Sequence, residues 1–214
     1  MNTGCAELLY ERIVKEVDLG KKEGERTVMF DVCCGTGSIG IVAAKIGAVD
    51  KVVGCDISVP AIRDAEVNKV LNGLGKRCVF EAGRAEEVMM GQVKREMDAT
   101  GDEGGTTRFI AVVDPAREGC HGDVLKAIRN TKAIKRVVYV SCNPTVSLPR
   151  DARVLCGPTS NKVYGGAFRV RKAQPVDMFP LTKHTEVIMV FDRGEGGDEG
   201  KGGGEGGGKG ETRS

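Results

Sequence analysis

Apolar and polar positions follow the period of a helix in the first stretch of the chain, residues 5–17. Leu9, Ile13 and Val17 recur at intervals of four residues, with Tyr10 and Val14 beside them. Such spacing places all five side chains on one apolar face of a helix. The sequence therefore predicts that an amphipathic helix is the first element of the fold.

Further along the chain, short runs rich in β-branched residues alternate with helical patterns. The predicted strands cover residues 27–33, 51–55, 78–81, 109–113 and 134–140, and the predicted helices cover 38–47, 59–71, 85–98 and 123–130. Residues 176–180 and 185–192 are predicted to form a closing pair of strands. This alternation predicts an α/β fold, in which a mostly parallel, seven-stranded sheet carries helices on both faces.

Composition divides the chain into two parts. With 214 residues and 40% apolar side chains, the chain suits one domain with a sizeable core, which we place at residues 1–193. Residues 194–214 hold 11 of the 31 glycines and no apolar side chain, so a disordered tail is predicted there. The tail has five acidic and three basic residues, which leaves +4 on the domain against +2 for the whole chain. A mildly basic domain is compatible with an RNA partner but does not demonstrate one.

Neither a membrane-spanning apolar run nor a leader is visible, so we expect an intracellular protein, cytoplasmic or nuclear, that does not bind a membrane. The eight cysteines include no C-x-x-C pair, which argues against a zinc ribbon or a redox dithiol. We expect reduced thiols, most of them buried, and no metal site. Composition does not indicate an oligomeric state.

Four polar residues stand where predicted strands end: Asp31, Asp56, Asp114 and Cys142. In open α/β sheets, ligands bind in the crevice outside the carboxyl ends of the strands. The sequence therefore predicts that these four side chains converge on one binding site.

Residues 35–40, "GTGSIG", form a G-x-G-x-x-G motif between a predicted strand and a predicted helix, and Asp56 follows at the distance of a ribose-binding acid. Gly35 and Gly37 are therefore predicted to let the backbone approach a nucleotide-like ligand. The motif alone fits a dinucleotide or S-adenosylmethionine (SAM), and it also fits a glycine turn that serves only tight packing. Asp31 favours SAM, because its carboxylate would repel a pyrophosphate; it could face the ammonium group of SAM or hold the loop.

The segment "DPAR" at residues 114–117 also favours SAM, because methyltransferases hold the group to be methylated in this region of the fold. Two simpler readings stay open, namely that Asp114 is a helix N-cap and that Arg117 is a surface charge.

Cys142 stands in "VSCNPT", and a free cysteine is usually a small buried hydrophobe. Pro144 can open a helix, however, which would place the sulfur near a helix N-terminus and lower its pKa. Cys33 and Cys34 flank the glycine loop and are expected to pack beneath the cofactor.

The motifs "DVCCGTGSIG", "DPAREG", "VVYVSCNP" and "DMFPLTKHTEVIMVF", in this order, resemble the RNA (uracil-5-)-methyltransferases, particularly those that act on tRNA. The resemblance covers residues 2–193 and implies a Rossmann-like, SAM-dependent methyltransferase fold with RNA as the substrate. By matching position it implies that Cys142 adds to C6 of uridine, which activates C5 for methylation, and that Glu186 then removes the C5 proton. It also implies that Ser38, Asp56 and Asp114 contact SAM. From spacing alone, Glu186 would be an exposed acid at the start of a strand.

Two features depart from the family. Asp56 is usually glutamate there, and the chain starts at the tail of a Phe-Phe-Gln-x-Asn motif whose glutamine binds SAM in the family. We therefore expect an isolated catalytic domain with weak SAM binding and weak RNA selection. Two other hypotheses stay open: a non-catalytic RNA-binding remnant of the family, and an NAD-dependent enzyme with a catalytic cysteine.

Overall fold

The computed structural model describes residues 3–100, 107–182 and 184–194, which form one sheet covered by helices. The strands are β1 (Arg26–Val32), β2 (Lys51–Asp56), β3 (Cys78–Ala82), β4 (Thr107–Val113), β5 (Ile134–Ser141), β6 (Phe168–Val176) and β7 (Glu186–Arg193). The helices are α1 (Thr3–Asp18), α2 (Ser38–Lys45), α3 (Val59–Leu71), α4 (Ala85–Thr100), α5 (Gly122–Asn130) and α6 (Ser147–Cys156), with a short 3-10 helix at Gly75–Arg77. The predicted α/β fold with a mostly parallel, seven-stranded sheet is confirmed.

The sheet has the strand order β3-β2-β1-β4-β5-β7-β6. Strands β1 to β5 are parallel to one another, whereas β7 runs antiparallel to both β5 and β6. The chain builds outward from β1 through β2 and β3, then crosses back to add β4 and β5 on the other side. The order therefore reverses between β1 and β4, where a crevice forms at the carboxyl ends of the strands.

Each face of the sheet carries its own apolar core. Helices α1, α2 and α3 pack on one face, the α1–α3 face, against strand residues such as Met29 and Ile110. Helices α4, α5 and α6 pack on the other, the α4–α6 face, against residues such as Phe30 and Ala111. Because successive strand residues point to opposite faces, a strand covered on both sides must be apolar at nearly every position. This explains the unbroken apolar runs of the central strands.

The predicted first helix is confirmed as α1, which buries Leu9, Ile13, Val14 and Val17. Within the described ranges, no helix combines the length and apolarity needed to cross a bilayer. The predicted tail, apart from Gly194, lies outside the described residues.

Two late elements differ from the prediction. The strand expected at residues 176–180 is wrong, since β6 covers Phe168–Val176. In the described sheet, β6 is an edge strand with a strand partner on one side only, so it accepts polar residues and Pro175. These residues break the apolar pattern by which a strand is predicted from sequence. The helix that the sequence allows to open at Pro144 begins instead at Ser147, as α6. Pro149 stands in its first turn, where a missing N–H breaks no helical bond.

Gly54 should resist substitution because a Cβ there would lie 2.3 Å from Cδ1 of Phe80 on β3. We expect Gly54→Ala to lower the free energy of unfolding by about 1–3 kcal/mol through overpacking. The matched control is Gly91→Ala in α4, where the added Cβ meets nothing within 4 Å. This control should be neutral or stabilising by up to about 1 kcal/mol, since alanine favours helix. Urea denaturation of both variants checks the pair, and equal stability of Gly54→Ala and wild type would contradict the packing.

Candidate active site

Five side chains of the predicted site lie at the edge of the sheet where the parallel strands end. Asp31 and Asp56 belong to β1 and β2, Asp114 and Cys142 directly follow β4 and β5, and Glu186 begins β7. The three within strands, Asp31, Asp56 and Glu186, stand two or four positions from strand residues of the α1–α3 core, so strand alternation directs them toward the α1–α3 face. The backbone thus brings the predicted residues to one edge of the sheet.

The glycine loop combines a packing role with an open approach. Gly37 is in the left-handed region with φ 79°, and a Cβ there would lie 2.7 Å from Cζ of Phe80, so Gly37 serves tight packing. Gly35, with φ 53°, has open space around its Cα and donates its N–H to Oδ2 of Asp56 at 3.0 Å. Ser38 begins α2 and is half-buried. The loop therefore leaves Gly35, rather than Gly37, free for close backbone approach by a ligand.

Asp56 has a carboxylate that two backbone amides hold in place. Oδ2 accepts from Gly35 and Oδ1 accepts from the N–H of Ser58 at 2.9 Å. A carboxylate can accept about four hydrogen bonds, so both oxygens retain acceptor capacity. This geometry suits a fixed acceptor for the hydroxyls of a ribose.

Asp31 lies beneath the glycine loop and is fully buried. Its Oδ2 accepts the N–H of Gly40 at 2.9 Å, while Oδ1 has no hydrogen-bond partner within the described structure. Burial raises the pKa of Asp31 to about 7, and the negative charges of Asp114 and Asp56 act in the same direction. The position favours the reading in which Asp31 holds the loop, and direct contact with a cofactor stays a prediction.

A cavity of about 590 Å³ opens where the strand order reverses, between the ends of β1 and β4. The loops after the first four strands line it, with Cys33, Asp56, Ile57, Gly83, Arg84, Ala85, Asp114, Cys120 and His121 among the lining residues. The glycine-loop residues, Cys142 and Glu186 are not part of this lining. Sequence reasoning missed Ile57 and residues 83–85, although the strand-end rule that found Asp56 also applies to the end of β3.

Asp114 connects this cavity with Cys142, which follows β5, and Glu186, which begins β7. It lines the cavity, and its side chain is exposed to it. The surrounding walls displace water and raise the pKa of Asp114 to about 6, with a further contribution from the negative charge of Glu186. The alternative that Asp114 caps a helix is not supported, since the N-cap of α5 is His121.

Cys142 and Glu186 lie at the same end of the β5–β7 ladder. The last pair of that antiparallel ladder is Ser141 with Val187, and Cys142 and Glu186 are each one residue beyond it. The charge of Glu186 acts on the Cys142 thiol, in agreement with this placement. A thiol and a carboxylate thus form a pair, the Cys142–Glu186 pair, beside Asp114.

The prediction that a helix N-terminus lowers the pKa of Cys142 is wrong. Pro144 lies in a turn and α6 begins only at Ser147, five positions after the thiol. Burial raises the pKa of Cys142, and the negative charge of Glu186 raises it further, whereas Arg117 acts in the opposite direction. The free protein therefore carries Cys142 mainly as the thiol at neutral pH.

Asn143 ties the loop after β5 to the loop after β4. Its Nδ2 donates to the carbonyl oxygen of Arg117 at 3.3 Å, and its own N–H donates to Oγ of Ser141 at 3.2 Å. Its carbonyl oxygen accepts from Oγ of Ser147 at 3.1 Å. The hydroxyl and carboxamide around Cys142 thus fix the backbone that carries the sulfur.

A buried network holds the loop after β4, and sequence reasoning missed it. The carboxylate of Asp151 accepts from the N–H of Cys120 at 2.7 Å, from the hydroxyl of Tyr139 at 2.6 Å and from Nε of Arg150 at 2.8 Å. Gly119 has φ 85°, and a Cβ there would lie 2.6 Å from the same carboxylate. The sequence feature that could have identified Asp151 is an acidic residue on the buried face of an amphipathic helix.

All eight cysteines lie in the described residues and are free, as expected. Only Cys55, Cys78 and Cys120 are buried, so the expectation that most are buried is wrong. Cys33 and Cys120 both lie at the cavity wall. Among the described residues, no cluster of three or more His, Cys, Asp or Glu is suited to hold a metal ion.

Comparison with known proteins gives one family and a set of longer relatives. Residues 23–174 match the methyltransferase domain family. The chain is 40% identical over 193 residues to a mouse (Mus musculus) protein named tRNA (uracil-5-)-methyltransferase homolog A, a match that covers 90% of this chain and 29% of the mouse protein. It is 37% identical over 195 residues to the mouse homolog B, covering 90% and 37% of the two chains. The chain thus spans about a third of the length of these relatives, and the resemblance to RNA (uracil-5-)-methyltransferases is confirmed.

Solved structures share the fold at low sequence identity. A geranyl diphosphate methyltransferase in complex with SAM superimposes with a TM-score of 0.54 at 14% identity, over 87% of this chain and 84% of the other. The predicted Rossmann-like methyltransferase fold is confirmed.

Two charges of opposite sign should move the titration of Cys142 in opposite directions. We expect Glu186→Gln to lower the pKa of the thiol and Arg117→Ala to raise it, because each removes one of the charges that act on the sulfur. The pH dependence of iodoacetamide alkylation at Cys142, followed by peptide mass spectrometry, measures both shifts. The same pH profile for the wild type and both variants would contradict the action of Glu186 and Arg117 on the Cys142 thiol.

Asp31 should make the protein's stability depend on pH. A carboxyl whose pKa is raised on folding binds its proton more tightly in the native state, so its contribution is greatest at low pH. Relative to Asp31→Asn, the wild type should lose stability as the pH rises from 3.8 towards about 7. The slope is at most about 1.4 kcal/mol per pH unit. Urea midpoints across this range check the trend, and parallel curves for both proteins would rule it out.

Proposed function

Since this chain belongs to the methyltransferase domain family, we propose that it is the catalytic domain of an enzyme that methylates C5 of uridine in RNA, with tRNA as the RNA class. The relatives named tRNA (uracil-5-)-methyltransferase support both the reaction and the RNA class. The observation that carries the proposal is the β5–β7 register, which brings Cys142 and Glu186 to the same end of the ladder, where the charge of Glu186 also acts on Asp114.

The cavity fits SAM as the cofactor. Asp56 presents a fixed carboxylate with spare acceptor capacity, as a ribose requires, and Ile57 offers an exposed apolar side chain for a flat base. Asp114 adds a second carboxylate at the wall nearest the Cys142–Glu186 pair, which suits a positively charged ligand. When bound, SAM supplies an electrophilic methyl group carried on a positively charged sulfur.

Cys142 acts on the uridine ring. Its thiolate adds to C6, which makes C5 enolate-like and able to accept a methyl group, and this is covalent catalysis. Because the pKa of Cys142 is raised, the thiol must release its proton to solvent water as the substrate arrives, and Arg117 is a positive charge that stabilises the resulting anion. A thiolate of raised pKa is also intrinsically the stronger nucleophile.

Glu186 then completes the cycle. Its carboxylate accepts the proton from C5, and the C6–sulfur bond breaks to restore the double bond and the thiolate. Burial raises the pKa of Glu186, which makes the carboxylate a stronger base than an exposed glutamate. Its place at the same end of the ladder as Cys142 puts the base near the ring atom adjacent to C6.

The target uridine must leave its base stack to reach a thiol that lies at the end of a strand. Asp56 and Asp114 line the cavity that the cofactor would occupy, and Asp114 also lies near Glu186. Cofactor and base can therefore meet at the edge where the parallel strands end.

Covalent trapping tests the proposal. Incubation with SAM and RNA that contains 5-fluorouridine should accumulate a protein–RNA adduct, because fluorine cannot leave as the proton does. Cys142→Ala should lose the adduct completely, whereas Cys5→Ala, at a half-buried cysteine in α1, should form it normally. Denaturing gel electrophoresis shows the adduct as a shifted band.

An adduct that persists in Cys142→Ala would refute the assignment of the nucleophile. The alternative of a non-catalytic RNA-binding remnant predicts no adduct and no binding of SAM even at millimolar concentration. Calorimetric titration with SAM, carried out on the same preparation, distinguishes the remnant from an enzyme with a different nucleophile.

A further inference from the structure

The turn at residues 179–182, between β6 and β7, holds an apolar residue in an unusual conformation. The N–H of Thr182 donates to the carbonyl oxygen of Phe179 at 3.1 Å, which closes a four-residue turn. Pro180 occupies its second position and Leu181 its third, with φ 68°. Glycine or asparagine normally stands at a third position with positive φ, because a side chain there is strained.

Leu181 is also fully exposed, with a relative accessibility of 106%. It gains nothing from burial in the protein, so neither packing nor backbone preference explains a leucine at this position. The rest of the turn nevertheless enforces the conformation. Asp177 Oδ1 accepts the N–H of Phe179 at 3.2 Å, and Thr182 Oγ1 both donates to the carbonyl oxygen of Phe179 at 2.8 Å and accepts the N–H of His184 at 3.2 Å. An outlier that its surroundings maintain indicates a function.

The turn lies beside the Cys142–Glu186 pair. Val176, the last residue of β6, pairs with Glu186, the first residue of β7, so the intervening loop must project from the sheet edge where Glu186 stands. Leu181 is only five positions before Glu186 in the chain, and Phe179, also partly exposed at 37%, accompanies it in the same turn. An apolar tip thus stands at the entrance that a target base would use.

We infer that Leu181 contacts the RNA and fills the gap that the target uridine leaves in the base stack. This inference rests on the proposed function, since a base must be extruded before Cys142 can reach C6. Apolar side chains that enter a stack replace the lost contacts of the neighbouring bases and so stabilise the extruded state. A single turn is too small to form a stable protein–protein interface, whereas one side chain suffices to occupy the space of one base.

Three variants test the contact. Leu181→Asn removes the apolar side chain but keeps a residue that accepts the left-handed region, so the melting temperature should be unchanged or raised. Leu181→Met keeps an apolar side chain. Leu71→Asn changes a leucine that is 78% exposed at the end of α3, on the far side of β1 from β7.

On an RNA hairpin that carries the target uridine, Leu181→Asn should lower kcat/KM by about tenfold, the order expected for one base contact. Leu181→Met and Leu71→Asn should stay close to wild type. On a hairpin in which the nucleotide next to the target is abasic, the loss caused by Leu181→Asn should disappear, because no neighbouring base remains to contact. Equal losses on both hairpins, or no loss on the intact one, would overturn the inference.

A readout without methylation separates this inference from the proposed function. The base 2-aminopurine, placed next to the target uridine, brightens when the uridine leaves the stack. The wild type should brighten it on binding and Leu181→Asn should do so less, whether or not the RNA becomes methylated. Brightening that depends on Leu181 without methylation would refute the proposed function alone, and no brightening by the wild type would refute the contact.

Discussion

The pairing of β7 between β5 and β6 is the constraint on which the candidate site depends. Because β7 is antiparallel to β5, its first residue, Glu186, lies at the edge where the parallel strands end, one residue beyond the Ser141–Val187 pair. A shift of one residue in this register would turn Glu186 to the opposite face of the sheet. The apolar residues Ile188 and Val190, which pack into the α1–α3 core, fix the register and therefore the position of Glu186 relative to the end of β5. Core packing and the geometry of the candidate site are thus set by the same strand.

Three acidic side chains at this edge of the sheet, those of Asp31, Asp114 and Glu186, have a raised pKa. Burial raises the pKa of Asp31 to about 7, with a contribution from Asp114 and Asp56, and raises the pKa of Asp114 to about 6, with a contribution from Glu186. Burial also raises the pKa of Glu186. The free site therefore resists negative charge, and a cationic cofactor would relieve that resistance. The same surroundings raise the pKa of Cys142, so the free protein carries it mainly as the thiol at neutral pH.

Much of the fold could be predicted from the sequence because the central strands are covered on both faces and read as apolar runs. The edge strand β6 could not, since exposure on its free side permits charged residues and Pro175. At the site, the rule that ligands bind where parallel strands end correctly placed Asp56, Asp114 and Cys142 at the same edge of the sheet. The pKa of Cys142 was beyond sequence reasoning, because it depends on where α6 begins and on the charge across the β5–β7 ladder.

The central claim is that the residues at 142 and 186 act in turn on one uridine, and mass spectrometry of Glu186→Gln tests it most directly. After incubation with SAM and RNA containing ordinary uridine, the account predicts an RNA fragment that is already methylated and still attached to the peptide bearing Cys142, because methyl transfer precedes the proton removal that releases the product. Methylated RNA released free from this variant at the wild-type rate, or a fragment attached at another residue, would contradict it.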